Sequence, residues 1–368
     1  MKVFSVFISL FFLLISVANA QPVTSSEKEN VYYETLPYQG QNVQYVEYNQ
    51  APNKKMEALD IIKHRGVVRC GSNLQVKSFA VQKDGAWQGI DADFCRVIAL
   101  AVLGDNSKIE IVDVKPNEIV AALNSFKIDI MLSGAPYSAA METSHQALSA
   151  GLLYYDHQLL MTSTDLGDKP DDLRGKKICL STDTDYYKNF DDYNMRYNLN
   201  VKYLSFANLE KAKEAFLLKR CDMISASGLL LNGVLLDLPT AKAKILPIHI
   251  ALHPVYAFVQ KDNNELRLAV KWIINALMLA EQYGITVQNR EFFAANDNQE
   301  IRNLLGDDPK MWQSLGLKPN WVREAIALIG NYADIYDKNL GKDSNYKLKR
   351  REGRLVKDGG TVYPIPFM

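Results

Sequence analysis

The chain has 368 residues, and its 42 Lys and Arg offset its 42 Asp and Glu, so no net field draws it to a nucleic acid or an anionic membrane. At 48% hydrophobic it can fill real cores, and its length favours two domains over one. Beyond residue 20 no apolar run is long enough to span a bilayer, which excludes direct membrane insertion of the remainder.

The opening "MKVFSVFISLFFLLISVANAQ" has one basic residue, an apolar run from Val3 to Val17 and a small-x-small ending at Ala18, Asn19 and Ala20. That pattern predicts a signal peptide over residues 1–20, cleaved before Gln21, and hence export. Residues 21–55 are polar and tyrosine-rich without helical periodicity, an N-terminal extension read as an extended arm or leader. Order begins at "KKMEALDIIKHRG", a short amphipathic helix that Gly66 stops.

From there strands and helices alternate. "VVRCGSN" reads as a buried strand, "FAVQKDGAWQGI" as a hairpin turning near Asp84 and Gly85, and "DADFCRVIALAVLG" as a helix ending at Gly104. "KIEIVDV", "NEIVAALNSF" and "KIDIML" continue as strand, helix and strand. The grammar restarts after "YYDHQLLMTS" with "KKICLST", "DYYKNFDDYNMRY", "NVKYLSF", "NLEKAKEAFLLKR" and "CDMISAS". This predicts an α/β protein with two lobes, each a mostly parallel sheet with flanking helices, the second inserted into the first. The crossings "HQLLMT" and "ALHPVYAFVQ" supply two hinge strands suited to opening and closing a cleft. The expected division is 56–158 for the first part of lobe 1, 159–253 for lobe 2, and 254–368 for the return to lobe 1 with a C-terminal helical extension. Within that extension the charge run "KLKRREGRLVK" reads as a solvated surface.

Cys70, Cys95, Cys179 and Cys221 allow three pairings in an oxidising compartment. The two-lobe reading favours Cys70 with Cys95 and Cys179 with Cys221. There is no G-x-S-x-G, no H-E-x-x-H and no phosphate loop, and the five histidines are scattered, so neither an enzyme, a cofactor nor a metal site is expected. His145 could serve as an acid or base but has no positioned nucleophile in the sequence, and His157 reads as structural. Asp91 and Asp93 in "GIDAD" read as capping and orienting the following helix rather than as metal ligands.

The ordered series "RGVVRCGSN", "GIDADFCRVIALAVLGD", "AALNSFKIDIMLS", "LLYYDHQ", "DDLRGKKIC", "LLKRCD", "NNELRLAVKWIINALMLAEQYGIT", "LGLKPNWVREAIALIGNYADIYDKNLG" and "GGTVYPIP" resembles the periplasmic solute-binding proteins of amino-acid ABC transporters, in the general L-amino-acid binding branch of family 3. The resemblance implies a pair of α/β lobes and delivery of a small polar solute to an inner-membrane permease from the periplasm. It also implies an arginine clamping the ligand carboxylate and a second-lobe acid holding the ammonium, since both ions lose their water on burial.

Against that pattern, "SGAPYSAAMETSHQ" puts Met141 where the resemblance implies the arginine, with Glu142 beside it. The resemblance puts Ser227 at the ammonium-binding acid, and "STDTDYY" brings Asp183 and Asp185 into a loop that should favour anions. The candidate ligand contacts are therefore Ser133, Tyr137, Ser138, Glu142, Thr182, Asp183, Ser225 and Ser227. Tyr137 reads equally as a pocket wall or a packing tyrosine, Glu142 also as a helix-start acid, and Asp183 and Asp185 also as turn acids. The expected function is a solute receptor that does not take ordinary L-α-amino acids. The alternative is a periplasmic scaffold or assembly protein that has lost its ligand site and binds a protein complex.

Overall fold

The computed structural model describes residues 57–133, 137–143, 147–182, 184–238, 243–294 and 296–367. The expected signal peptide, the N-terminal extension, Ala135, Pro136, His145 and Asp183 lie outside the described residues.

The strands are β1 (Val68–Ser72), β2 (Val81–Lys83), β3 (Ala86–Gln88), β4 (Ile109–Asp113), β5 (Ile130–Met131), β6 (Ala147–Thr162), β7 (Lys177–Ser181), β8 (Lys202–Phe206), β9 (Met223–Ser227) and β10 (Lys244–Gln260). The helices are α1 (Ala58–Arg65), α2 (Ile90–Leu103), α3 (Ile119–Asn124), α4 (Ala139–Thr143), α5 (Tyr186–Tyr197), α6 (Leu209–Leu217), α7 (Gly228–Asp237), α8 (Asn264–Gln282), α9 (Arg290–Ala294), α10 (Gln299–Leu305), α11 (Pro309–Ser314), α12 (Trp321–Leu328) and α13 (Tyr332–Asn339).

Eight strands join in the order β4-β1-β5-β10-β6-β9-β7-β8. The triplets β4-β1-β5 and β9-β7-β8 are internally parallel. Between them β10 and β6 run antiparallel to each other and to their neighbours. This is the two-lobe α/β architecture, with the long β6/β10 pair passing from one lobe to the other. Both strands start well before the short crossings that local pattern suggests, because alternation is weak where both faces are covered.

Chain punctuation matches its residue chemistry. Gly66 and Gly104 end α1 and α2 in the left-handed region, each returning its N–H to the last turn. Asp84 and Gly85, both at positive φ, turn the β2/β3 hairpin. Disulfides link Cys70 to Cys95, tying β1 to α2, and Cys179 to Cys221, tying β7 to the approach to β9.

Lobe 1 holds the larger core, where α2, α8, α12 and α13 cover one face of its sheet through Phe94, Ile98, Ile273, Leu277, Val322 and Ile335. Trp312 sits edge-on to Trp321 and to Phe367, so Phe367 is packed into that core. The run around Arg350 departs from the solvated surface expected of it. Arg350 is largely buried, donating to Glu281 at 2.6 Å and 3.2 Å, and its guanidinium lies over Tyr332 and Tyr336. Its planar fork matches the carboxylate while its faces stack on rings, which a solvated lysine would not do. Lobe 2 has smaller cores on each face of its sheet, one around Phe190 and Ile178 and the other around Phe216 and Ala226.

Candidate functional site

In parallel sheets ligands meet the C-terminal ends of strands, and here Ser72, with Ser133 two residues past β5, marks those ends in lobe 1, and Ser181 and Ser227 mark them in lobe 2. The β6 residues Tyr154 to Gln158 pass between them. Ser72 Oγ donates to Asp91 Oδ2 at 2.6 Å, and the Ser133 N–H donates to Asp91 Oδ1 at 3.2 Å. Asp91 thus ties the start of α2 to the ends of β1 and β5. Neither Asp91 nor Asp93 caps α2, whose N-cap is Gly89 without a side-chain bond. That corrects the capping half of their expected role. Asp93 instead accepts from Arg96, Lys338 and Asn339, orienting α2 against α13.

Asp156 makes the matching junction in lobe 2, a residue the sequence reading passed over. Its Oδ2 accepts the Ser227 hydroxyl, its Oδ1 accepts its neighbour His157 N–H at 2.8 Å, and the N–H groups of Gly228 and Leu229 at the start of α7 also stabilise it. A carboxylate from the hinge strand therefore already occupies the positive end of α7. Ser227 also accepts from Leu230 N–H, so it caps that helix.

Burial holds Asp156 up at about 6, opposed by Ser227 and the neighbouring N–H groups. Burial likewise raises Asp91 to about 6 against Ser133 and Ser72. What pulls each back down is a hydroxyl or an N–H, not a Lys or Arg. Tyr154, buried between them, is pushed well up by burial and then by Asp156 and Asp91. Buried carboxylates without a cation partner favour an incoming positive or hydrogen-donating group.

The other expected contacts fall into two sets. Tyr137 donates to Glu142 at 3.3 Å and packs on Tyr256 with centroids 4.7 Å apart, while its N–H binds Pro254 O. Glu142 accepts from both the N–H and the hydroxyl of Ser149, and the hydroxyl bond is the main reason its carboxyl sits below the usual range. These contacts fasten α4 to β6 and β10. Met141 packs against a small core of Val114, Ile119, Leu123, Ile128, Met131 and Phe258. Ser138 is exposed, with its carbonyl taken by Met141 N–H.

In lobe 2, Thr182 is exposed and binds Phe206 O through both its N–H and hydroxyl. Ser225 is fully buried, donating to Leu159 O and accepting from Gln158. Gln158 also donates to Tyr186 O at 2.8 Å and accepts from Asn189, anchoring the start of α5 to the hinge. Ser133, Ser227, Asp91 and Asp156 are therefore linked around Tyr154, whereas Tyr137 and Glu142 form a separate brace. Among the described residues no group of His, Cys, Asp and Glu is arranged to hold a metal.

A family model for bacterial extracellular solute-binding proteins, family 3, matches residues 68–289. The chain belongs to that family, and it is a solute-binding protein of the amino-acid ABC transporter type rather than an enzyme. The glutamate/glutamine/aspartate/asparagine-binding protein BztA of Rhodobacter capsulatus is 32% identical over 314 residues, 84% of this chain and 93% of the relative. The general L-amino acid-binding periplasmic protein AapJ of Rhizobium johnstonii is 32% identical over 314 residues, 84% of this chain and 92% of the relative. The solved structure of an ABC transporter periplasmic binding protein from Brucella ovis with glutathione bound superposes with a TM-score of 0.77, at 32% identity, covering 84% of this chain and 99% of that one.

Proposed function

We propose that this chain is an exported periplasmic receptor that delivers a polar solute other than an ordinary L-α-amino acid to an inner-membrane ABC permease. In this reading residues 1–20 are removed on export, 56–158 with 254–368 form one lobe, and 159–253 form the other. The solute lies between Ser133 of lobe 1 and Thr182 and Ser227 of lobe 2, with Asp91 and Asp156 beneath it.

The observation that carries this reading is the pairing at Ser227. Asp156 fills the anion-favouring start of α7 from within the protein, while Met141, at the position of the expected clamp, is half-buried against an apolar core. A ligand carboxylate then meets no guanidinium at the Met141 position, and the start of α7 is already taken. A neutral, hydroxyl-rich or amine-bearing solute suits the hydroxyls and carboxylates better. Glutathione in the Brucella ovis relative supports a scaffold that takes solutes other than single amino acids.

Calorimetry on ligand-stripped protein tests the proposal against a panel of common L-amino acids, small peptides including glutathione, polyamines and polyols. Binding confined to solutes outside the amino-acid set is expected. Sub-micromolar binding of glutamate, glutamine or a broad amino-acid set overturns it, and a stable envelope-protein partner with no solute binding would favour a scaffold role instead.

A further inference from the structure

The β6/β10 ladder shifts register at three places, and the widest gap lies between Leu246 and Ala251. Leu246 pairs with Leu160, but the next partners are Ala251 and Gln158, so residues 247–250 bulge from β10 opposite a single residue of β6. A bulge bends its strand and interrupts the ladder, so this stretch of the hinge strand β10 is the less firmly held. His249 sits in that bulge, and its Nδ1 lies 3.0 Å from Nδ1 of His157 on β6, with the rings edge to face at 79°. Nε2 of His157 lies 3.0 Å from Glu352 Oε2, in the short turn Arg351–Gly353 that packs on β6.

Two ring nitrogens at hydrogen-bond distance need one N–H and one lone pair. Neutral imidazoles satisfy this, and so does a pair sharing one extra proton. Two imidazolium rings do not, because both nitrogens then carry hydrogens and like charges meet at contact distance. We propose that His157, His249 and Glu352 form a pH-sensitive latch across the two hinge strands, closed while the histidine pair can share its N–H and released when both rings are protonated.

The surroundings oppose double protonation. Burial lowers the His157 pKa, the His249 charge lowers it further, Glu352 pulls it up and Arg351 pushes it down. Burial also lowers His249, with Arg351 in the same direction and Glu352 against. Asp156 faces the His157 backbone rather than its ring. Next along β10, His253 is engaged separately, with Asn189 at 3.0 Å and Tyr186 stacked on it.

The sign follows from linkage. With folded-state pKa values below the ordinary 6.5, the unfolded chain binds protons first, so the latch is at full strength above 6.5 and weakens as pH falls through the folded-state values. Asp91 and Asp156, held up at about 6, also take up protons on acidification, so the test needs a variant that silences only the histidines.

Hydrogen exchange on the full chain from about pH 7.5 to about pH 5, corrected for intrinsic rates, reads local opening directly. The wild type should lose roughly tenfold or more protection in residues 244–253 and their β6 partners on acidification. His249→Gln, which keeps a donor and an acceptor without a titratable ring, should flatten that response. Glu352→Gln should move its midpoint upward in pH if the carboxylate only holds the turn, and downward if it stabilises the protonated ring as the latch requires. Proton NMR of the imidazole C–H signals gives a second readout, expected to show two coupled titrations below 6.5. An unchanged pH response in His249→Gln, an upward Glu352→Gln shift, or two independent titrations at the ordinary value overturns the latch.

Discussion

Asp156 accepts the Ser227 hydroxyl where the hinge strand β6 meets the first turn of α7. The same hydroxyl accepts Leu230 N–H, so Ser227 serves both as helix cap and as partner to a shielded carboxylate. Ser227→Ala is expected to cost about 1–2 kcal/mol, seen as a lower urea midpoint at unchanged slope. Ser227→Thr, which keeps the hydroxyl, should recover most of it. An alanine variant as stable as the parent would show that the contact does not stabilise α7.

Asp91 should leave a signature in the pH dependence of stability. Burial raises its carboxyl from 3.8 to about 6, so the folded state holds its proton where the unfolded chain has released it. Its contribution is present in full below the unfolded value and declines as pH rises to about 6, by roughly 3 kcal/mol as an order of magnitude. Asp91→Asn should remove that decline. Asp156 contributes with the same sign and the histidine pair with the opposite one, so the comparison is between urea midpoints of parent and variant at each pH.

Breaking the Arg350–Glu281 pair from one side strands a largely buried charge. Burial already raises the Glu281 carboxyl, and Arg350 is the main group pulling it back. Arg350→Met should therefore destabilise by about 3–5 kcal/mol, while Arg350→Met with Glu281→Met should recover much of the loss. A double-mutant cycle by denaturant unfolding measures the coupling. Additive losses would mean that the two side chains act independently.

Each disulfide closes a loop within one lobe, with sequence separations of 25 and 42 residues. Replacing either pair by serines should lower stability by about 2–4 kcal/mol, chiefly by freeing the unfolded chain. Non-reducing peptide mapping should recover the Cys70–Cys95 and Cys179–Cys221 peptides, and a peptide linked between lobes would contradict both assignments.

Local chemistry alone determined a good deal. Gly66 and Gly104 end their helices, Asp84 with Gly85 makes the hairpin, and the strand and helix alternation specifies a two-lobe α/β chain. These follow from φ preferences and from facing patterns that repeat within a few residues. The ordered motifs also carried the family.

Tertiary structure decided where side chains far apart in sequence meet. Asp156 reads as one acid among many until β9 brings Ser227, 71 residues away, against it. His157 and His249 are 92 residues apart and meet only because β10 bulges opposite β6. Arg350 looks solvated in a run of Lys and Arg, yet Glu281 and two tyrosines enclose it. Helical and strand periodicity report which way a residue faces on its own element. The charge state and partners of a buried group depend on what another element places opposite, and that is set by the packing of the whole chain.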